Sequence, residues 1–138
     1  MRNPVIQEET TGCGIAAAAC ILGKTYAEMK STANALGIRA SDESLWSDTQ
    51  HVRHMLSDAG VETSEVEIPF DSWDALPELA LLAIKHHQEE GKNFWHWVVF
   101  QRVNGQPFVL DSASYLPSNV RQDFEAMQPK WFIEVANA

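Results

Sequence analysis

A cysteine near the start of the chain is either a nucleophile or an ordinary buried thiol, and a glutamine precedes it by six residues. Cys13 opens a run of small and aliphatic residues that predicts a helix over residues 13–22, and Gln7 stands six positions earlier. A thiol at a helix N-terminus faces unpaired backbone N–H groups and the positive end of the helix dipole, and both favour the thiolate. Because the thiolate is the nucleophilic form of cysteine, Cys13 is a candidate nucleophile.

The second half of the chain contains a predicted β-hairpin. Residues 94–103 are aromatic and β-branched, as is typical of a strand, and residues 107–113 form the predicted returning strand. Asn104-Gly105 lies between them and is the strongest short signal for a two-residue hairpin turn. Such a turn pairs Val103 with Gln106 and thereby sets the register of both strands.

This register places a histidine and an aspartate on one face of the sheet. His96 and Asp111 become diagonal neighbours, with Cβ atoms expected roughly 7–8 Å apart, a gap that an imidazole and a carboxylate can bridge. The pair is either a structural hydrogen bond within the sheet or a base with its orienting acid. The hairpin alone favours neither interpretation.

Together with Cys13, the pair supplies the groups that acyl transfer needs. His96 would act as general base for the thiol, and Asp111 would hold its tautomer and support the imidazolium. The oxyanion of the intermediate needs hydrogen-bond donors, for which the backbone N–H of Cys13 and the side-chain amide of Gln7 are candidates. The predicted catalytic residues are therefore Cys13, His96, Asp111 and Gln7.

The order and spacing of these motifs resemble the papain-like C39 peptidase family. The resemblance rests on Gln7, "GCGIAAA", "HWVVF" and "VLDSA", and the "DFEAMQPKWFIEV" end is similar to the family's final helix and strand. C39 domains trim double-glycine leader peptides, and many are fused to peptide-exporting ABC transporters. The resemblance implies a papain-like α+β fold in which N-terminal helices, one with the nucleophile at its N-terminus, pack on a C-terminal antiparallel sheet. It assigns Cys13 as nucleophile, His96 as base, Asp111 as orienting acid and Gln7 as oxyanion-hole donor.

Two positions depart from the family pattern. Gly12 stands where an acidic residue often precedes the cysteine, and Ser112 stands where a proline often follows the aspartate. Neither change removes a predicted catalytic group. No ATPase or membrane segment follows in the sequence, so a single stand-alone domain over residues 1–138 is expected.

Three functions remain open at the level of sequence. The first is a cysteine peptidase or amide hydrolase that acts on a peptide or protein substrate. The second uses the same thioester for acyl transfer to an amine, as in a transglutaminase-like enzyme, or for deamidation. The third is a module that binds a peptide in the same cleft without cleaving it.

The predicted elements place helices first and an antiparallel sheet second, which is an α+β arrangement. Besides the helix at 13–22, capping boxes at Thr25/Glu28 and Ser47/Gln50 predict two further helices. These helices are expected to end near Leu36–Gly37 and at Gly60. The other predicted elements are a loop over 37–46, a strand from Val61 to Ile68, a helix from Asp74 to Glu90, the hairpin, a short helix near Asn119 to Met127 and a last strand from Trp131 to Val135.

Three further patterns have more than one interpretation. Trp95 and Trp97 should face away from His96, and we expect them to pack beneath the first helix, although Trp97 could instead wall a cleft. The acidic stretch "SDESLWSD" is either a solvated loop or a lid over the cleft. His51 and His54 are expected to be exposed on an amphipathic helix.

Composition narrows the classes of partner. The net charge of −9 opposes nucleic-acid binding, which requires Lys and Arg to replace counterions on phosphate. Cys13 and Cys20 lie two helical turns apart, about 10 Å, too far for a disulfide, and no Cys/His spacing resembles a zinc site. No cofactor or metal is expected. The absence of a signal-peptide pattern and of a membrane segment predicts a cytoplasmic protein.

Overall fold

The computed structural model describes residues 2–136 as an α+β protein, with helices in the first half and an antiparallel sheet in the second. The α-helices are α1 (Cys13–Leu22), α2 (Tyr26–Ala35) and α3 (Gln50–Asp58). The strands are β1 (Ile68–Pro69), β2 (Leu79–Glu89), β3 (Lys92–Val103), β4 (Gln106–Leu110), β5 (Val120–Arg121) and β6 (Trp131–Glu134). Two short 3-10 helices span Glu43–Ser47 and Phe124–Ala126.

The six strands form one sheet in the order β1-β6-β2-β3-β4-β5, with antiparallel neighbours throughout. One face of the sheet packs on the helices, and α1 lies directly on β3. The other face has a smaller apolar core, which is closed by Trp73, Phe124 and Met127 from the connecting segments. The central strands are thus covered on both faces.

Burial on both faces explains why the prediction of a helix over Asp74 to Glu90 is wrong. The segment forms β2, whose residues alternate between the two cores: Leu79, Leu81 and Ala83 face the helices, whereas Ala80, Leu82 and Ile84 face the opposite side. A strand buried on both sides is a continuous apolar run, and its periodicity does not distinguish it from a buried helix.

Other predicted elements are shorter than expected or of a different type. Val61 to Ile68 contains only an isolated bridge at Thr63 and the start of β1. The segment from Asn119 to Met127 is β5 and a single 3-10 turn rather than a helix. The loop over 37–46 includes most of the first 3-10 helix.

The predicted capping boxes have different outcomes. The box at Thr25/Glu28 is confirmed, with both of its reciprocal hydrogen bonds formed. At α3 the cap is instead the Asp48 carboxylate, which accepts hydrogen bonds from the backbone N–H groups of Gln50 and His51 at 3.1 and 2.9 Å. A carboxylate two residues before the helix reaches these orphan donors better than the predicted serine.

The predicted hairpin turn and its register are confirmed, but the returning strand ends at Leu110 and not at residue 113 as predicted. Asn104 and Gly105 both have positive φ, 51° and 79°, as a type I′ turn requires. Val103 pairs with Gln106, and the ladder continues to Val99 opposite Leu110. The described helices include none that is long and apolar enough to cross a lipid bilayer.

Candidate active site

Cys13 is the first residue of α1, and its side chain is almost completely buried, with 3% of its surface exposed. The N-cap residue is Gly12, and no side chain among the described residues caps this end of the helix. The first backbone N–H groups of α1 therefore remain directed at the region of the thiol.

Gly12 is required by close packing rather than by its φ value of −89°. A Cβ at this position would lie 2.2 Å from Oη of Tyr26, which donates a hydrogen bond to Glu9. The tyrosine hydroxyl thus occupies the space that a larger residue at position 12 would need.

The tryptophans beside His96 support α1 from below, as predicted. Trp95 and Trp97 belong to the core between the sheet and the helices, and both pack edge-to-face against Trp131, at centroid distances of 4.8 and 5.2 Å. This layer of aromatic rings positions α1 over β3.

His96 contacts Asp111, as the hairpin register predicts. The imidazole Nε2 lies 2.8 Å from Oδ1 of Asp111, which also accepts the backbone N–H of Ala113 at 3.0 Å. An ionised carboxylate accepts hydrogen bonds but donates none, so Nε2 carries the hydrogen. Nδ1 is then the nitrogen left to exchange a proton with the thiol of Cys13.

The pKa of His96 is raised and the pKa of Asp111 is lowered. Burial disfavours the charged form of His96, but the hydrogen bond to Asp111 and the proximity of the Cys13 thiol outweigh it and raise the histidine pKa from 6.5 to about 9. Burial also disfavours ionisation of Asp111, yet the hydrogen bond from His96 and those from Ala113 and Arg121 lower its pKa to about 2. An imidazolium beside a carboxylate is therefore the favoured state near neutral pH.

Two residues that were not predicted from the sequence, Arg121 and Asn119, hold Asp111 in place. Arg121 Nη1 donates to Oδ2 of Asp111 at 2.9 Å, and its other nitrogens form a fork on the exposed Asp123. Asn119 Nδ2 donates to the backbone carbonyls of Asp111 and Ala113 at 2.9 and 2.8 Å. The pairing of β5 with β4 brings Arg121 to Asp111, and no local pattern indicates that pairing.

Gln7 is tied to the loop that follows Asp111. Its backbone N–H donates to the carbonyl of Ser112 at 3.0 Å, and its Oε1 accepts the Ser112 hydroxyl at 2.6 Å. Its Nε2 donates to the carbonyls of Glu9 and Thr10, at 2.9 and 3.1 Å. Both amide hydrogens are thus engaged, and one of these bonds must be exchanged before Gln7 can bind an oxyanion.

Two cavities adjoin His96. A groove of about 760 Å³ is lined by Cys13 and His96 together with Trp46 and Phe94, and a pocket of about 320 Å³ is lined by His96, Gln7 and Tyr115 among others. We call the first the aromatic groove.

A side-chain contact links the two cavities. Lys85 lines the aromatic groove and Tyr115 lines the smaller pocket. The ammonium of Lys85 donates to the Tyr115 hydroxyl and lies 5.0 Å from its ring centroid. Lys85 takes this position because β2 changes register between Ile84 and His87, where Lys85 has a φ of 55°.

The acidic stretch "SDESLWSD" lies at the cleft, and most of its polar side chains are also exposed to solvent. Glu43, Ser44, Trp46 and Ser47 line the aromatic groove. Trp46 Nε1 donates to the Thr10 carbonyl at 3.2 Å, which ties this segment to the residues that precede Cys13.

The expectation that His51 is exposed is wrong, whereas His54 is exposed as predicted. His51 is 4% exposed, its Nδ1 lies 2.9 Å from Asp48 Oδ2, and its buried Nε2 lies against Gly14 without a hydrogen-bond partner among the described residues. The imidazole thus packs on the residue that follows the thiol.

This contact makes Gly14 sensitive to substitution. We expect Gly14→Ala to lower the free energy of unfolding by at least about 1 kcal/mol, because overpacking outweighs the better helix propensity of alanine. The new Cβ would stand 2.2 Å from His51 Nε2 and 3.0 Å from Val52 Cγ1. Urea titration followed by tryptophan fluorescence measures the loss. The same substitution in a His51→Ala background should cost less, and an equal cost in both backgrounds would contradict the steric explanation.

Within the described residues, no three His, Cys, Asp or Glu side chains lie close enough together to hold a metal ion. Cys13 and Cys20 are both free. Burial raises the pKa of Cys20 to about 12, which makes this thiol an inert internal reference for the reactivity of Cys13.

Residues 2–136 thus define an α+β protein of three α-helices and a six-stranded antiparallel sheet. A thiol, an imidazole and a buried carboxylate gather where α1 packs on β3. Neither a scan of the sequence against protein-family models nor a search of curated proteins finds a match.

Proposed function

We propose that this protein is a cysteine hydrolase that cleaves a peptide or amide bond, with a papain-like arrangement of its site. The observation that carries the proposal is the His96–Asp111 hydrogen bond beside a thiol at a helix N-terminus. The Asp111 contact occupies Nε2, so the histidine presents Nδ1 to Cys13. The resemblance to C39 peptidases, residue by residue at Gln7, Cys13, His96 and Asp111, supports the same assignment.

The reaction starts from a Cys13 thiolate beside the His96 imidazolium, the pair that results when the thiol proton passes to His96 Nδ1 before substrate binds. The thiolate attacks the substrate carbonyl carbon, and the carbonyl electrons become an oxyanion that accepts hydrogen bonds from the Cys13 backbone N–H and the Gln7 amide. When the C–N bond breaks, His96 gives its proton to the departing nitrogen and leaves a thioester. A water molecule then attacks the thioester carbonyl while His96 accepts its proton. The C–S bond breaks, the acid is released, and the Cys13 thiolate again stands beside the His96 imidazolium.

Alkylation of Cys13 by iodoacetamide tests the proposal. We expect fast labelling at pH 6 in the wild type, because His96 has a pKa of about 9 and remains an imidazolium there. In His96→Gln the labelling rate at pH 6 should fall at least about tenfold, since an ordinary thiol with a pKa of ~8.5 is largely protonated at that pH. Mass spectrometry of the digested protein separates Cys13 from Cys20.

The matched control is His54→Gln, which removes an exposed histidine from α3 and should leave the rate unchanged. Labelling that rises only near pH 8.5 and is the same in His96→Gln would contradict the proposal. Such a result would favour a peptide-binding module.

A further inference from the structure

The aromatic groove beside Cys13 is walled by rings that are arranged before any ligand binds. Trp46 and Phe94 meet edge-to-face with centroids 6.4 Å apart, and His87 stacks on Phe94 at 5.4 Å and an interplanar angle of 21°. The Trp46 hydrogen bond to Thr10 fixes this wall to the segment that leads into Cys13.

These rings are only partly covered by the rest of the protein. Trp46 and Phe94 are each only partly buried, and His87 is exposed, whereas Trp95, which also lines the groove, is buried. The volume of about 760 Å³ lies within the range of pockets that enclose small molecules or large side chains. Partly buried aromatic faces around a cavity of this size leave apolar area that a ligand can cover.

The charges at the groove cancel. Lys85 and Lys92 line it together with Glu43 and Glu89, so two positive side chains accompany two negative ones, although the chain as a whole has a net charge of −9. The groove therefore has no excess charge with which to select an ionic group. Apolar contact with the rings is therefore the strongest basis for selectivity that the groove offers.

We propose that the aromatic groove binds a large apolar or aromatic side chain of the peptide substrate, next to the bond that Cys13 attacks. The inference rests on the proposed hydrolase function and adds a substrate class to it. Two adjacent glycines, the residues that C39 peptidases recognise, would leave the walls of Trp46 and Phe94 uncovered. A substrate with a bulky apolar residue would cover them.

Two thiol-reactive probes of equal chemistry test this inference without a known substrate. N-(2-phenylethyl)chloroacetamide and N-methylchloroacetamide each lose chloride to the attacking thiolate, and they differ only in the group that extends from Cys13. Their labelling rates at Cys13 are divided by their rates with free glutathione. Burial of a phenyl group should favour the phenylethyl probe by roughly ten- to a hundredfold.

The aromatic wall should account for this preference. Trp46→Ala and, as a second variant with a milder change, Phe94→Leu should each lower the ratio of the two rates several-fold. Phe70→Ala is the matched control, because Phe70 packs against Trp73 in the core on the opposite face of the sheet, and this variant should keep the wild-type ratio. Circular dichroism verifies that each variant is folded.

The outcomes separate the two proposals. A ratio near one in the wild type, with labelling that still depends on His96, would overturn the groove inference and leave the hydrolase proposal intact. A high ratio that survives in both Trp46→Ala and Phe94→Leu would also overturn it. Labelling by both probes that is independent of His96 would instead contradict the hydrolase proposal.

Discussion

Asp111→Ala is expected to lower the free energy of unfolding by about 3 kcal/mol at pH 7, because it removes one partner of a buried ion pair. The Asp111 side chain is fully buried and accepts hydrogen bonds from His96, Ala113 and Arg121. Without it the guanidinium of Arg121, whose side chain is only 12% exposed, loses its buried partner. Urea unfolding followed by tryptophan fluorescence measures the change.

Asp123→Ala is the matched control for this variant. Asp123 also pairs with Arg121, at 2.7 Å, but its side chain is 54% exposed. An exposed ion pair contributes at most about 1 kcal/mol, so this substitution should cost much less. Equal losses for Asp111→Ala and Asp123→Ala would mean that the burial of Asp111 does not determine its contribution to stability.

The second large effect is on the pH dependence of stability. The pKa of Asp111 is lowered from 3.8 to about 2 in the folded protein, so its ionisation stabilises the fold. This contribution is fully present above pH 3.8 and is lost as the pH falls through about 2. The shift corresponds to about 2 kcal/mol.

Comparison of the wild type with Asp111→Asn isolates this contribution, because other carboxyl groups titrate in both proteins. We expect the stability difference to be largest near about pH 5 and to shrink steadily as the pH is lowered from 4 towards 2. It should also decline above pH 6.5, because Asp111 helps to raise the pKa of His96 from 6.5 to about 9, and the stability that this shift contributes is lost as the pH rises. Urea titrations at half-unit intervals of pH give the curve. A difference that does not change with pH in the acid range would show that Asp111 is not preferentially ionised in the folded state.

Residues close together in the sequence determined the centre of the candidate site. Cys13 begins α1 after Gly12, and the two-residue turn at Asn104-Gly105 sets the hairpin register that brings His96 to Asp111. Both results follow from local backbone conformation, which is why they were predictable from the sequence.

The longest element that was predicted wrongly is the helix over Asp74 to Glu90, and the cause is tertiary burial rather than local conformation. Leu79 to Glu89 contains residues that favour helices, and its apolar run has no strand periodicity. The segment is a strand because both of its faces are covered, by the helices on one side and by the second core on the other. Tertiary burial, which a local pattern does not contain, overrides the local preference.

The contacts around the candidate site also depend on the tertiary structure. Arg121 reaches Asp111 only because β5 pairs with β4, and Ser112 holds Gln7 across more than a hundred residues of chain. The aromatic contact between Trp46 and Phe94 joins the first 3-10 helix to the start of β3.

The sequence alone determined a thiol at a helix start and a histidine beside an aspartate across a tight turn, since short-range geometry depends on a few backbone dihedral angles. Only the tertiary structure decided that these groups meet, what anchors the carboxylate and what walls the cleft. Those contacts depend on which distant surfaces are buried against each other, and that is a property of the whole chain.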